Sequence, residues 1–210
     1  MNIAKFKKLP ILGIVRGIEA DAVEPLVEIV ISSGLETIEI AMNTKGAEGL
    51  IRKAAKAARG RLAIGAGTVT DTKLLGSALD AGATFIVMPV LIEGVVKRCV
   101  KDKIPVFPGA LTPKEIFEAW NAGATMVKVF PSQFFGTGYF REIKGPFDKI
   151  ELLACGGVTP ENMKEYFSSG ASAVAFGASV FRKEWLASGD FESVGKRIRE
   201  YVTGVKIMVV

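Results

Sequence analysis

The sequence predicts an α/β fold, a single-domain (β/α)8 TIM barrel running over residues 1–210. Three observations predict it. Eight short apolar segments alternate with helical patterns along the chain, the order of a parallel sheet wrapped by helices. One phrase recurs four times, always leading into an even-numbered strand. A chain of 210 residues that is 49% hydrophobic and 23% charged suits one globular core.

The elements follow in order. Ile11–Val15 is an apolar run ending at Arg16-Gly17. The next helix carries Val23, Leu26, Val27 and Val30 at i, i+3, i+4, i+7 spacing. Asp21 with Glu24 reads as its cap, and Pro25 falls in the first turn, where a missing N–H costs little. Thr37–Ile40 is the second strand. The densest basic set, Arg52, Lys53, Lys56 and Arg59, then falls at helical spacing and reads as a solvated helix face. Leu62–Gly65 and Phe85–Met88 are the third and fourth strands, the latter stopped by Pro89. Cys99 sits in a helical pattern before the fifth strand, Pro105–Phe107. Thr112-Pro113 with Glu115 marks another helix start, and Trp120 packs on that helix. Met126–Val129, Glu151–Ala154 and Ala173–Phe176 complete the eight. Thr159-Pro160 reads as a cap with proline at the first helical position. Trp185 suits helix packing near the end.

Such alternation fits either a closed barrel or an open doubly wound sheet. The repeat decides between them. Gly34-Leu-Glu-Thr-Ile-Glu39, Gly82-Ala-Thr-Phe-Ile-Val87, Gly123-Ala-Thr-Met-Val-Lys128 and Gly170-Ala-Ser-Ala-Val-Ala175 align. Each glycine suits a left-handed helix end. Each phrase then enters the second, fourth, sixth or eighth strand, and alternate strands supply each interior layer of a barrel. Glu39, Val87, Lys128 and Ala175 share one phase, predicted to point inward as one layer. Ile38, Ile86, Val127 and Val174 occupy the opposite, aliphatic phase, predicted to lie under the helices.

Composition excludes several chemistries. The chain has no histidine, which removes histidine-based triads and histidine metal sites. Its two cysteines, Cys99 and Cys155, form no disulfide framework, so a reducing cytoplasm is expected. Residues 1–10 lack the apolar stretch of a signal peptide, and no run is long enough to span a membrane. The net charge of +5 is spread over many segments, which argues against nucleic acid and fits attraction of a small anion.

Lys128 is the residue around which chemistry is predicted. It interrupts the apolar run Met126-Val-Lys-Val-Phe130. Burial disfavours an ammonium group, and an unprotonated amine attacks carbonyls to form a Schiff base. Glu39, in the same interior layer, supplies a carboxylate for proton transfer. The competing reading is a salt bridge that fills the interior. Barrel sites sit at the C-terminal ends of the strands, which here read Arg16, Asn43-Thr44, Gly67-Thr68, Pro89, Pro108-Gly109, Pro131-Ser132, Gly156-Gly157 and Gly177-Ala178-Ser179. Arg16 can hold a carboxylate or phosphate through a bidentate contact. Thr68 offers a hydroxyl after a glycine turn. The glycine turns at Cys155-Gly156-Gly157 and Gly177-Ala178-Ser179 precede helical segments and can cradle phosphate. Cys155 stands beside this site but reads as structural.

These motifs resemble the class I 2-keto-3-deoxy-6-phosphogluconate (KDPG) aldolases, a family that includes 4-hydroxy-2-oxoglutarate and 6-phosphogalactonate-type enzymes. The likeness covers nearly the whole chain. It rests on Ile38-Glu39-Ile40, Ile64-Gly-Ala-Gly-Thr68-Val69, Phe85-Ile-Val-Met-Pro89, Val127-Lys128-Val-Phe-Pro131-Ser132, Lys144-Gly-Pro-Phe147 and Gly156-Gly157-Val-Thr-Pro-Glu-Asn162. The resemblance implies a metal-free, cofactor-free (β/α)8 barrel, commonly a homotrimer. It implies that Lys128 is the Schiff-base lysine and Glu39 the general acid/base. Arg16 and Thr68 would bind the pyruvate-like end, with Asn43, Pro89 and Cys155 also at the substrate. Gly156, Gly157, Gly177, Ala178 and Ser179 would hold phosphate. The implied reaction cleaves 2-dehydro-3-deoxy-6-phosphogluconate to pyruvate and glyceraldehyde 3-phosphate. The galactonate epimer and 4-hydroxy-2-oxoglutarate stand as alternative substrates, and a non-catalytic phospho-ligand barrel as an alternative of another class. Three departures bear on the substrate. Met42-Asn43-Thr44 stands where many gluconate-type members have Leu-Arg-Thr, which is a galactonate-type feature. Cys155 replaces a frequent threonine, and Gly177-Ala178-Ser179 replaces Gly-Ser.

Overall fold

A computed structural model describes the backbone of residues 1–209 and the side chains of residues 1–207. Nine parallel strand segments form one sheet: β1 (Ile11–Val15), β2 (Thr37–Ala41), β3 (Ala63–Gly67), β4 (Ile86–Val87), β5 (Val106–Phe107), β6 (Gly109–Ala110), β7 (Val127–Val129), β8 (Leu152–Cys155) and β9 (Ala173–Phe176). Their spatial order is β5-β4-β3-β2-β1-β9-β8-β7-β6. The two ends of that order, β5 and β6, are one strand interrupted only at Pro108, which has no N–H to give to a ladder. Below the proline, Met88 N donates to Phe107 O at 3.0 Å. Above it, Lys128 N donates to Pro108 O at 2.8 Å and Phe130 N to Ala110 O at 3.1 Å. One strand therefore bonds both neighbours, and the sheet closes as an eight-position barrel. The open-sheet alternative is excluded.

Helices cover the outside: α2 (Val23–Ser32), α3 (Ala47–Ala58), α4 (Thr72–Asp80), α5 (Glu93–Lys101), α6 (Pro113–Asn121), α7 (Gly136–Lys144), α8 (Met163–Ser168), α9 (Lys183–Ser188) and α10 (Phe191–Val209). None is long and apolar enough to cross a membrane. Ile38, Ile86, Val127 and Val174 pack with the helix residues, as their phase predicts. The four repeat glycines, Gly34, Gly82, Gly123 and Gly170, all have φ between +84° and +103°, a conformation that L side chains avoid. Trp120 and Trp185 are half-buried against the outer core. Cys99 is buried in α5, and burial pushes its thiol up to about 11, so it is structural.

Two helix starts differ from expectation and one agrees. Thr112 Oγ1 accepts from Glu115 N at 3.3 Å, and Glu115 Oε2 accepts from Thr112 N at 2.8 Å, a complete capping box on α6. Asp21 does not cap α2. A turn in which Ala22 N donates to Glu19 O at 3.2 Å absorbs Asp21, and the helix starts at Val23 without a side-chain cap. Thr159 caps the turn that leads into α8 and not the helix itself: its Oγ1 accepts from Asn162 N at 3.4 Å. Asn162 folds its carboxamide back, accepting from Thr159 N at 2.8 Å and donating to Gly157 O at 2.9 Å. That local turn consumes Pro160, and α8 starts at Met163.

The barrel interior is a separate, inward-facing cluster of Leu12, Phe85, Val87, Phe107, Met126, Leu153, Cys155, Ala173 and Ala175. It includes a residue that no strand supplies. A four-residue helix, α1 (Ile3–Phe6), is an unforeseen element that delivers Phe6 into this cluster, where its ring meets Phe107 edge-on at 6.0 Å. Gly65 on β3 makes room for a neighbouring ring: a Cβ there would be 2.3 Å from Phe85.

Candidate active site

Lys128 and Glu39 reach the interior from opposite sides of the barrel wall. Lys128 is the middle residue of β7 and is 8% exposed; Glu39 is the middle residue of β2 and is 2% exposed. Val87 and Ala175, the other members of the predicted layer, are interior as well. Among the described residues no ion pair involves either charge. Glu39 Oε2 is buried with no hydrogen-bond partner. A salt bridge that merely fills the barrel is therefore not what these groups form. Lys128 Nζ instead lies 5.1 Å from the centroid of the Phe130 ring, a cation–π distance.

Burial dominates the chemistry of Glu39. It pushes the carboxyl up to about 7, against the opposing pull of Lys128 and Arg16. A carboxyl that titrates near neutrality can both give and take a proton at working pH. Cys155, at the end of β8, is 4% exposed, and burial raises its thiol too, with Lys128 and Arg16 working against the rise and Glu39 adding to it. The thiolate is disfavoured, so Cys155 is a small apolar wall and not a nucleophile. These mutual influences place Arg16, Glu39, Lys128 and Cys155 in one electrostatic neighbourhood.

The remaining sequence candidates ring the same end. Arg16 follows β1 and is exposed. Asn43, two residues past β2, is also exposed. The two loops are stitched together by Thr44, 8% exposed, whose Oγ1 accepts from Gly17 N at 3.1 Å. Thr68 follows β3 with φ +58°, the left-handed region that a threonine rarely occupies. Such strain persists where surroundings impose it, often at functional sites. Pro89 follows β4. Gly156 and Gly157 follow β8 with φ +100° and +73°, and Gly177, Ala178 and Ser179 follow β9. Among the described residues, the backbone N–H groups of Gly157, Ala178 and Ser179 donate to no protein acceptor. All twelve candidates thus lie in the barrel's upper interior or at its C-terminal mouth. A cleft of about 410 Å³ lined by Lys7, Met126, Lys144, Asp148, Lys149, Glu151 and Ser172 opens at the opposite face and contains none of them.

Three supports were given no role from the sequence, although two of them, Gly67 and Ser132, stood among its strand-end positions. Gly67 on β3 leaves the space that the Glu39 carboxylate fills. The phase of Gly65-Ala-Gly67 carried that signal. Ser132, fully buried after β7, donates from Oγ to Gly156 O at 2.8 Å and so locks the first glycine turn to the lysine strand. Tyr201 on α10 donates to Val158 O at 2.7 Å; nothing local in the sequence marked it. Among the described residues no group of three or more Cys, Asp or Glu side chains could hold a metal ion.

Comparison with known proteins points to one family. Residues 3–197 match the family described as KDPG and KHG aldolase. The chain is 36% identical over 177 residues to the 2-dehydro-3-deoxy-6-phosphogalactonate aldolase of Escherichia coli (strain K12), covering 83% of this chain and 86% of that one. It is 30% identical over 206 residues to the 2-dehydro-3-deoxy-phosphogluconate aldolase of Haemophilus influenzae, covering 97% and 96%. A solved structure described as native KDPGal superposes with a TM-score of 0.89 at 32% identity, over 96% of this chain and 97% of the other.

Proposed function

The chain belongs to the KDPG and KHG aldolase family of carbon–carbon lyases, and we propose that it works through a Schiff base on Lys128, cleaving a 2-dehydro-3-deoxy-6-phospho sugar acid to pyruvate and glyceraldehyde 3-phosphate. The observation that supports this reading is the interior layer: a buried amine and a buried carboxyl with no hydrogen-bond partner on Oε2, below a mouth that carries Arg16 and unbonded backbone N–H groups.

The steps use this chain's own groups. The lone pair of Lys128 Nζ attacks the C2 ketone, and transfer of an N–H proton to the C2 oxygen gives a carbinolamine. Protonated Glu39 delivers its proton to the C2 hydroxyl, which leaves as water as the iminium forms. The iminium is an electron sink. Loss of the C4 hydroxyl proton to the Glu39 carboxylate breaks the C3–C4 bond, its electron pair flows into the enamine, and glyceraldehyde 3-phosphate departs. Protonation of C3 and addition of water then release pyruvate and restore the amine. Arg16 and Thr68 hold the carboxylate end. The free N–H groups of Gly157, Ala178 and Ser179, with Gly156 and Gly177 shaping their turns, hold the phosphate. Pro89 and Cys155 form apolar walls. No cofactor is required by this sequence of steps.

Asn43 and the 36% identity to the galactonate-type relative favour the galactonate epimer over the gluconate one. The exposed side chains of Phe130, Phe134 and Phe135, at 43%, 74% and 54%, support a homotrimer that covers them. Two free, buried cysteines fit a cytoplasmic enzyme.

Borohydride reduction in the presence of pyruvate tests the mechanism. The expected result is a stable mass adduct mapped to Lys128; a Lys128→Ala variant that retains full cleavage would overturn it. Cleavage rates of the two C4-epimeric phospho sugar acids and 4-hydroxy-2-oxoglutarate, compared side by side, test the substrate.

A further inference from the structure

The two glycine turns at the barrel mouth are tied to the same oxygen atom. Tyr201 is fully buried on α10, and its ring stacks on Phe176, the last residue of β9, with centroids 4.1 Å apart. Its hydroxyl donates to Val158 O at 2.7 Å. Ser179 Oγ lies 3.4 Å from the same hydroxyl. Because the Tyr201 proton is committed to Val158, its oxygen accepts from Ser179. Val158 directly follows Gly156-Gly157, and Ser179 closes Gly177-Ala178-Ser179. One phenol oxygen therefore spans both turns.

Packing alone does not call for this hydroxyl. A phenylalanine would make the same ring contacts without bringing a polar group into the core, where a hydroxyl is costly unless bonded. Burial pushes the Tyr201 hydroxyl up to about 12, so it remains a donor throughout the neutral range. Arg197, one turn earlier on α10, pairs with Glu161 at 3.2 Å, just beyond the first glycine turn. Ser132 holds Gly156 O from the other side. The first turn is thus clamped between β7 and α10, and Tyr201 extends that clamp to the second.

We propose that Tyr201 is a positioning residue for phosphate recognition, setting the spacing between the N–H donors of Gly157 and those of Ala178 and Ser179. The proposal rests on the reading of these turns as the phosphate site. Tyr201 touches no reacting atom and makes no hydrogen bond to Lys128 or Glu39, so its influence falls on binding the phosphorylated end, not on carbon–carbon cleavage.

Tyr201→Phe keeps the ring and removes the link. Steady-state kinetics on the phosphorylated sugar acid are compared with those on unphosphorylated 4-hydroxy-2-oxoglutarate. The expected result is a KM for the phosphorylated substrate raised roughly tenfold, the equivalent of about one well-placed hydrogen bond. On the same substrate kcat stays within about twofold, and kcat/KM for the unphosphorylated substrate is unchanged. Equal losses on both substrates, or no loss on either, overturn the proposal. Should Tyr201→Phe not fold, the ring resonances of Tyr201 in the wild type are followed by NMR as inorganic phosphate is titrated: a saturating shift supports the link, and signals that do not move while phosphate binds overturn it. Wild-type protein separates the underlying reading. If it shows neither a preference for the phosphorylated substrate nor inhibition by inorganic phosphate, the phosphate site itself is wrong, and the Tyr201 role falls with it. A clear wild-type preference with an unsplit variant overturns Tyr201 alone.

Discussion

A Cβ on Gly67 would lie 2.1 Å from Glu39 Oε1. The bare α-carbon on β3 is what lets the carboxylate stand inside the barrel beside it. Gly67→Ala should push Glu39 off its position. A displacement of about 1 Å at a catalytic group typically costs about a hundredfold in rate, so kcat should fall by about that factor with KM little changed. An unchanged kcat in steady-state assays would show that Glu39 needs no such room.

The raised carboxyl of Glu39 makes a pH prediction with a defined sign. Its ordinary value is 4.5 and the folded value is about 7. Well below pH 4.5 the native and unfolded states both hold the proton, and no penalty arises. Between pH 4.5 and 7 the unfolded chain gives it up while the native state keeps it, so stability declines across that window and then levels off. Glu39→Gln removes the penalty. The variant should match the wild type well below pH 4.5 and exceed it at pH 8 in denaturant unfolding. In kinetics, the pH-rate limb near 7 should vanish along with most of the activity. A limb that survives in Glu39→Gln belongs to another group.

Phe6 gives a prediction about stability without chemistry. Its ring is 3% exposed and fills the N-terminal end of the barrel against Phe107. Phe6→Ala should cost about 3 kcal/mol in unfolding free energy, the usual range for a buried aromatic truncation. The Lys128 end of the barrel should stay intact, so kcat at low temperature should hold. A loss below about 1 kcal/mol in a denaturant titration would mean that α1 does not stay docked.

The capping box on α6 offers a smaller, local test. Thr112→Ala removes the acceptor for Glu115 N and should cost about 1 kcal/mol. For a chain of this length that lowers Tm by about 2–4 °C. Aldolase kinetics should not change, because Thr112 lies outside the ring of site residues.

The interior layer was legible because two periodicities coincide. Strand side chains alternate with period two, and the glycine phrase recurs only on even strands, so Glu39 and Lys128 could be placed in one layer from spacing alone. Helix starts were less legible. Asp21 and Thr159 have the right chemistry for caps, but each is captured by a turn one to three residues upstream of its helix, and such turns depend on neighbours that a cap pattern does not weigh. Phe6 escaped notice because a four-residue helix shows no periodicity. Tyr201 escaped because its partners, Val158 and Ser179, are 43 and 22 residues away in the chain, and only the closed barrel brings them together. The break at Pro108 hid that the fifth strand has two halves with different neighbours.

That break has a consequence for measurement. The amide of Lys128 bonds to Pro108 O, at the seam where the fifth strand passes from its bonds with β4 to its bonds with β7. The peptide group of Lys128, the proposed nucleophile, is therefore a rivet in that seam. Any opening of that seam must expose this amide to solvent and shift the amine it carries. Native-state hydrogen exchange at this single N–H should follow the loss of pyruvate adduct formation as denaturant rises, so that one proton reports both closure of the wall and readiness of the amine.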